Sequence, residues 1–241
     1  MPITSYGCGH AAQVRLQQAD PGPLGMRLRL VTPAGPLEVL THLKGNFNCY
    51  NVMAALATGL ALGLDPEAAC RGIAALPNVP GRFERIVEGQ DFEVIVDYAH
   101  TPDALDRVLR AARELGVKRL VCVFGCGGDR DRGKRPLMGK VAGELADLTV
   151  LTSDNPRSED PQSIIDDIAA GLPQDSACRS ETDRHEAITT ALTAARTGDI
   201  VVIAGKGHES EQELADRVIP FDDRELARRA LRRLATGEDR P

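Results

Sequence analysis

From residue 80 onward the chain alternates short β-branched runs with stretches whose apolar positions recur at helical spacing. The pattern predicts strands over 92–96, 119–124, 148–152 and 200–204, and helices over 102–115, 136–146, 161–171, 183–196 and 222–234. The first third reads differently. Strand-like stretches at 26–31 and 37–40 flank Thr32-Pro33-Ala34-Gly35, which predicts a hairpin at the edge of a larger sheet. An Ala- and Leu-rich helix over 48–64 follows, and Asp65-Pro66-Glu67 opens a second helix with an N-cap, a proline at the first helical position and an acid in the first turn. Pro77-Asn78-Val79-Pro80-Gly81 then ends helical structure. We place the domain boundary there, giving 1–80 and 81–241, with a hinge at 78–81.

Strands alternating with helices predict an α/β fold, a mostly parallel sheet with helices on both faces. Ligands collect at the carboxyl ends of the strands in such sheets. The most polar segments of the second half fall at those positions. Asp97-Tyr98-Ala99-His100-Thr101-Pro102 follows the first strand, and Gly125 to Arg135 follows the second. Ser153-Asp154-Asn155-Pro156-Arg157 follows the third, and Gly205-Lys206-Gly207-His208-Glu209 the fourth. Four such loops are expected to ring one cleft.

Composition narrows the choice of ligand. A net charge of -6 with no basic run argues against nucleic acid, and no apolar run reaches the ~18 residues of a membrane span. The opening residues carry no signal-peptide pattern, so the chain reads as cytoplasmic. Aromatics make up 3% and tryptophan is absent, so recognition is expected to be largely polar. Six cysteines contain no C-x-x-C pair and are expected to be reduced; a zinc site from Cys8, His10, Cys122 and Cys126 lacks the paired spacing of metal ligands. No metal ligand is assigned.

Gly128 to Lys134 fits the G-x-x-x-x-G-K of a phosphate-cradling loop, but Arg135 stands where a hydroxyl would hold magnesium and Pro136 removes a backbone donor. The loop's glycines and cations suit anion contact without that metal ligand. The dinucleotide fingerprint fails as well, because Arg130 occupies the third glycine's place. In 154–157, Asp and Asn form turns, Pro fixes the backbone and Arg presents a planar fork to a carboxylate; taken alone, the segment reads first as an ordinary polar turn with a solvated arginine. His100 and His208 read as readily structural as catalytic, and no catalytic residue is assigned.

Taken together in order, 97–102, 125–136, 154–157 and 205–209 resemble the C-terminal domain of the Mur ligase family, and within it the branch that adds meso-diaminopimelate. Gly45 to Ala55 resembles the end of that family's central ATPase domain, and Gly81-Arg82-Phe83-Glu84 its domain junction. The resemblance runs from about residue 22 onward. It implies a Rossmann-like domain over 81–241, preceded by a remnant of the central ATP-binding domain. It implies ATP-driven amide-bond formation: a carboxylate attacks the γ-phosphate, and an amine attacks the resulting acyl phosphate, with magnesium and cations stabilising the transferred group. Asn48 and Asn51 would lie near adenine, Arg82 and Asp97 would contact ATP, and His100 and Lys206 are further candidates. The amino acid would be held by Arg130, Asp154, Asn155, Pro156, Arg157, Gly205 and Glu209. Arg157 would clamp the distal carboxylate of meso-diaminopimelate, which lysine lacks, and Glu209 would accept its distal ammonium.

The small-molecule partners implied are ATP, meso-diaminopimelate and a UDP-N-acetylmuramoyl dipeptide. The family's P-loop, UDP-sugar domain and most magnesium ligands would precede residue 1, so this chain is expected not to ligate alone. Two other functions share some of the motifs. A folylpolyglutamate-type ligase has an Asp-x-x-His like Asp97 to His100 but is disfavoured by the 154–157 turn, and a binding module would retain diaminopimelate or nucleotide affinity without turnover.

Overall fold

The computed structural model describes residues 3–22 and 25–237, and within the chain two compact units, 1–79 and 80–241, are distinguished. The first unit holds β1 (Tyr6–Gly7), β2 (Val14–Gly22), β3 (Gly25–Thr32), β4 (Gly35–Thr41), α1 (Asn46–Ala61) and α2 (Pro66–Ala74). Its four strands form one sheet in chain order, with β2, β3 and β4 antiparallel. The expected hairpin is β3–β4, turning between Thr32 and Gly35. Alternate residues of β3 (Met26, Leu28, Leu30) pack with Val14 and Val39 against Val52, Met53 and Leu56 of α1. The opening residues, silent as sequence, supply β1 and β2. The reason is visible in β2, whose polar Gln17-Gln18-Ala19-Asp20-Pro21 breaks the alternation that marks a half-buried strand.

The second unit contains β5 (Glu84–Arg85), β6 (Glu93–Asp97), α3 (Pro102–Arg113), β7 (Arg119–Phe124), α4 (Lys134–Leu145), β8 (Leu148–Leu151), α5 (Pro161–Ala169) and β9 (Cys178–Ser180). It continues with α6 (Arg184–Thr193), β10 (Asp199–Ala204), β11 (Glu211–Glu213), β12 (Val218–Pro220) and α7 (Asp223–Thr236). Its main sheet runs β5-β6-β10-β7-β8-β9, parallel except at the short edge strand β5. The central strands read as unbroken apolar runs because both faces are covered. Val94, Val96, Val121, Val123, Val201 and Ile203 pack against Ile188 and Leu192 of α6 and Leu226 and Leu231 of α7. The alternate residues face the other way, where α3 and α4 pack on each other and on β7, β8 and β10.

Helix starts follow local chemistry. Thr101, Asp160, Asp183 and Asp222 each accept a first-turn amide of α3, α5, α6 and α7, and prolines open α3 and α5. Sequence reading did not anticipate β5, β9 or the small hairpin β11–β12, all of two or three residues.

One polar pair ties the layers together. Arg184, the first residue of α6, is fully buried and donates to both carboxylate oxygens of Asp223, the first residue of α7, at 2.8 and 2.7 Å. The same guanidinium donates to the carbonyls of Ser153 and Ala204 at 3.1 and 3.0 Å, just beyond β8 and at the end of β10. Arg184→Met leaves a carboxylate buried without its partner and two carbonyls without donors, so a loss of about 3–5 kcal/mol is expected. Native-state hydrogen exchange at the Val201 and Val202 amides should report it, with partial recovery in Arg184→Met/Asp223→Leu. Unchanged protection in the single variant would show that the pair contributes nothing.

Candidate functional site

Register brings the four polar loops to one edge. Asp97 pairs with Ala204, Ile203 with Val123, and Phe124 with Leu151, so β6, β10, β7 and β8 end side by side. The loops interlock through close backbone approaches. Gly205 has φ 115° and any Cβ there would stand 2.6 Å from Asp154 Oδ2; a Cβ on Gly128 would stand 1.9 Å from the Pro156 carbonyl oxygen.

Beyond β8 and β10 the polar side chains converge. Lys206, fully buried, donates from Nζ to Asn155 Oδ1 at 2.8 Å and Glu209 Oε2 at 3.0 Å, with Asp154 Oδ1 at 3.8 Å. Asn155 Nδ2 donates to Glu209 Oε2 at 3.1 Å. Burial pushes the Asp154 carboxyl above the usual range, against the pull of Arg184 and Lys206. At Glu209 burial acts the same way, but the Lys206 hydrogen bond and charge outweigh it and hold the carboxyl below its ordinary value.

Arg157 rims this cluster in a left-handed conformation, φ 52°. Its Nε donates to Glu213 Oε2 at 2.6 Å and its Nη1 to the Gly128 carbonyl at 2.9 Å, while Nη2 makes no hydrogen bond among the described residues. Arg130 is exposed, and its Cγ and Arg157 Nη1 lie 3.7 and 3.0 Å from the position a Gly127 Cβ would take. The 154–157 turn, Arg130, Gly205 and Glu209 thus gather at one place.

The 125–135 loop is held from inside. Arg135 is fully buried; its Nη2 and Nη1 donate to Glu159 at 2.9 and 3.0 Å, and Nη1 also reaches Asp167 at 2.9 Å. It is therefore removed from the cations expected to contact anions, because its charge is spent within the protein. Lys134 Nζ donates to the His100 carbonyl at 2.7 Å, and Arg132 lies 2.9 Å from Glu159.

Of the candidate ATP contacts, Asp97 is buried and both its oxygens are occupied, by the Phe83 amide at 2.7 Å and the Ala99 amide at 2.8 Å. Burial raises its pKa against those two amides. Arg82 is exposed, its guanidinium 4.7 Å from the centre of the Tyr98 ring, and Tyr98 lies between His100 at 4.5 Å and His208 at 5.1 Å. Lys206 stands apart from these and belongs to the Asp154, Asn155 and Glu209 cluster. Asn48 and Asn51 lie on α1 of the first unit, joined by a 2.9 Å hydrogen bond, with Asn48 Nδ2 also donating to the Lys44 carbonyl. Cys122 and Cys126 are buried thiols pushed up to about 12 by that burial.

Sequence reasoning missed the residues that support the loops. Glu159 accepts the Asp129 amide at 2.7 Å, Gln212 donates to the Asp154 carbonyl at 2.7 Å, and the Glu213 amide donates to Asn155 Oδ1 at 3.1 Å. One signal existed for Arg184: a cation in the first turn of a helix opposes the macrodipole and needs a specific partner.

This unit has a Rossmann-like α/β fold with its polar loops at the carboxyl edge of the sheet, where such folds bind ligands. Residues 81–207 match the Mur ligase, glutamate ligase domain, and the chain belongs to the Mur ligase family. It is 51% identical over 228 residues to the UDP-N-acetylmuramoyl-L-alanyl-D-glutamate--2,6-diaminopimelate ligase of Solibacter usitatus, covering 94% of this chain and 46% of that protein. Against the enzyme of the same description from Gloeobacter violaceus it is 51% identical over 230 residues, 95% of this chain and 47% of the relative. A solved structure of a diaminopimelate ligase of that description superposes with TM-score 0.66 at 40% identity, covering 97% of this chain and 48% of that one. A Mycobacterium tuberculosis folylpolyglutamate synthase superposes with TM-score 0.67 at 21% identity over 96% of this chain and 49% of its own, which shows the fold alone. The chain spans about half the length of the curated relatives it matches.

The Glu159 clamp has a pH signature. The Arg135 hydrogen bonds, then the Asp129 amide, hold its carboxyl at about 2 against an ordinary 4.5. A folded pKa below the unfolded one stabilises the protein above the unfolded value, so the contribution is complete above pH 4.5 and is lost as pH falls toward 2. Carbon-13 titration of the Glu159 carboxyl should give a midpoint near 2, and Glu159→Gln should speed exchange of the Asp129 amide. A midpoint at the ordinary glutamate value would mean the clamp does not form in solution.

Proposed function

We propose that this chain is the amino-acid-binding portion of an ATP-dependent amide ligase that joins meso-diaminopimelate to UDP-N-acetylmuramoyl-L-alanyl-D-glutamate in peptidoglycan synthesis. The observation that carries the reading is the convergence of the 154–157 turn with Lys206 and Glu209: one hydrogen-bonded acidic cluster with an arginine on its rim. That combination suits a ligand with an ammonium and a carboxylate at the same end. The distal ammonium meets Glu209 and Asp154; the distal carboxylate meets Arg157 through Nη2, which has no partner to displace among the described residues, and Arg130 adds a second cation beside it. Asn155 and Pro156 shape the turn, and Gly205 admits the Asp154 carboxylate beside the backbone.

In the reaction, the carboxylate of the dipeptide attacks the γ-phosphorus of ATP, releasing ADP and forming an acyl phosphate. The amine of diaminopimelate then attacks the acyl carbon, phosphate leaves, and the amine gives up a proton. Residues 81–241 would serve as the amino-acid domain and 1–80 as the end of the central ATP-binding domain, with a hinge at 78–81. Arg82 and His100 are exposed and suited to ATP. Asp97 contributes by holding the Phe83 and Ala99 amides beside them, and Asn48 and Asn51 would lie toward adenine. Among the described residues no group of three or more acidic, histidine or cysteine side chains could hold a metal ion, so no step is assigned to magnesium on them. No helix among them is long and apolar enough to cross a membrane, in keeping with a cytoplasmic enzyme acting on small molecules.

Arg157→Ala removes a charge-assisted contact worth about 1.5–3 kcal/mol, so meso-diaminopimelate affinity should fall roughly ten- to a hundredfold while lysine affinity barely changes. Calorimetric titration of the wild type and the variant with both ligands measures this. Equal losses for the two ligands would place Arg157 at the shared amino-acid end or in the fold, and the specificity reading would fall.

A further inference from the structure

Resting on the amino-acid-binding reading above, we propose that Lys206 is a positioning residue of the amino-acid pocket, a buried counter-cation that sets the spacing and net charge of its acidic wall, and that it does not contact ATP. Among the candidate ATP residues Arg82 and His100 are exposed and Asn48 and Asp97 keep 5% and 8% exposure, whereas Lys206 has no accessible surface. Its ammonium is held by its own loop and the neighbouring one. Nζ reaches Asn155 at 2.8 Å and Glu209 at 3.0 Å, with Asp154 at 3.8 Å, so a phosphate could be met only by breaking that set and exposing the cluster.

The geometry gives the lysine a definite task. Asn155 is oriented at both ends, its Oδ1 accepting from Lys206 and from the Glu213 amide and its Nδ2 donating to Glu209. Lys206 therefore fixes a side chain that links the 154–157 turn, the hairpin β11–β12 and the 205–209 loop. It also sets the charge. Asp154 and Glu209 are two carboxylates facing one ammonium, which leaves one negative charge for an incoming ammonium to neutralise. Without Lys206, two like charges at close range would drive one carboxyl to take up a proton, and the pocket would lose the shape and charge that select a diamino acid.

Two measurements test this on the full chain. Acetylation of the wild type by a succinimidyl ester, followed by mass spectrometry, compares Lys206 with Lys140, whose side chain is 63% exposed. Lys206 should react at least ~tenfold more slowly, equally with and without ATP, because only local opening exposes it. Second, Lys206→Met should weaken meso-diaminopimelate binding roughly tenfold or more while ATP affinity stays within about twofold. Lys206 labelled as fast as Lys140 and shielded by ATP, or a variant that loses ATP and keeps diaminopimelate, would overturn the assignment. The acetylation arm decides the point even where Lys206→Met does not fold. A wild-type chain that binds no diaminopimelate would overturn the proposed function instead, with the labelling result still deciding whether Lys206 is an ATP contact.

Discussion

The candidate site depends on a buried ion pair behind its loops. Arg184 and Asp223 have no solvent-exposed side-chain surface, and the guanidinium spends its remaining donors on the carbonyls of Ser153 and Ala204. Those carbonyls lie where β8 and β10 give way to the two loops that carry Asp154, Asn155, Lys206 and Glu209. Parallel strands end without partners for their last carbonyls, and leaving such groups buried and unmet costs roughly 1–3 kcal/mol each. One planar side chain meets both and, through Asp223, fixes the starts of α6 and α7. A lysine could supply the charge but not the fork.

Much of this architecture was legible in the amino-acid order. The alternation of apolar runs and helical periodicity marked the four central strands and their helices, because strands covered on both faces must be continuously apolar. Asp-Pro and Thr-Pro pairs marked helix starts that bear caps in the structure. The polar loops could be placed at the sheet edge because each follows a strand. What stayed hidden was whatever depends on long-range pairing. Asp223 is 39 residues from Arg184, and nothing local distinguishes it from an ordinary helix-starting acid. The hairpin β11–β12 was invisible because three polar residues such as Glu211 to Glu213 carry no strand signature; they are strands because they are stitched to the 154–157 turn.

Lys206 illustrates the limit for chemistry. In sequence, a lysine between glycines after a buried strand looks like a flexible cation offered to phosphate. In the structure the same glycines let the chain turn tightly enough to bury it. Arg135 follows the same logic: it occupies the position of a phosphate-loop hydroxyl, yet its surroundings, Glu159 and Asp167, come from 24 and 32 residues away and turn it inward. Cation content of a loop is therefore a poor guide to anion binding until the carboxylates facing it are known.

Backbone strain shows how the edge is kept in one conformation. The non-glycine residues with positive φ among those described are Phe83, Asp129 and Arg157, and all three lie in loops at the carboxyl edge of the second unit's sheet. Each such conformation costs on the order of 1–3 kcal/mol and persists only when its surroundings over-determine it. In all three cases the strained residue's own amide is captured from elsewhere in the chain, twice by a carboxylate and once by a backbone carbonyl. Phe83 donates to Asp97 Oδ2, Asp129 to Glu159 Oε1, and Arg157 to the Glu213 carbonyl. The acids are themselves anchored: Asp97 by the Ala99 amide, Glu159 by Arg135, and Glu213 by Arg157 and Asn155. Strain and its restraint thus sit in the loops that carry Arg82, Arg130 and Arg157. Under the proposed function, a ligand arriving at these arginines would meet backbone already ordered, so little of its binding free energy would be lost to ordering the loops.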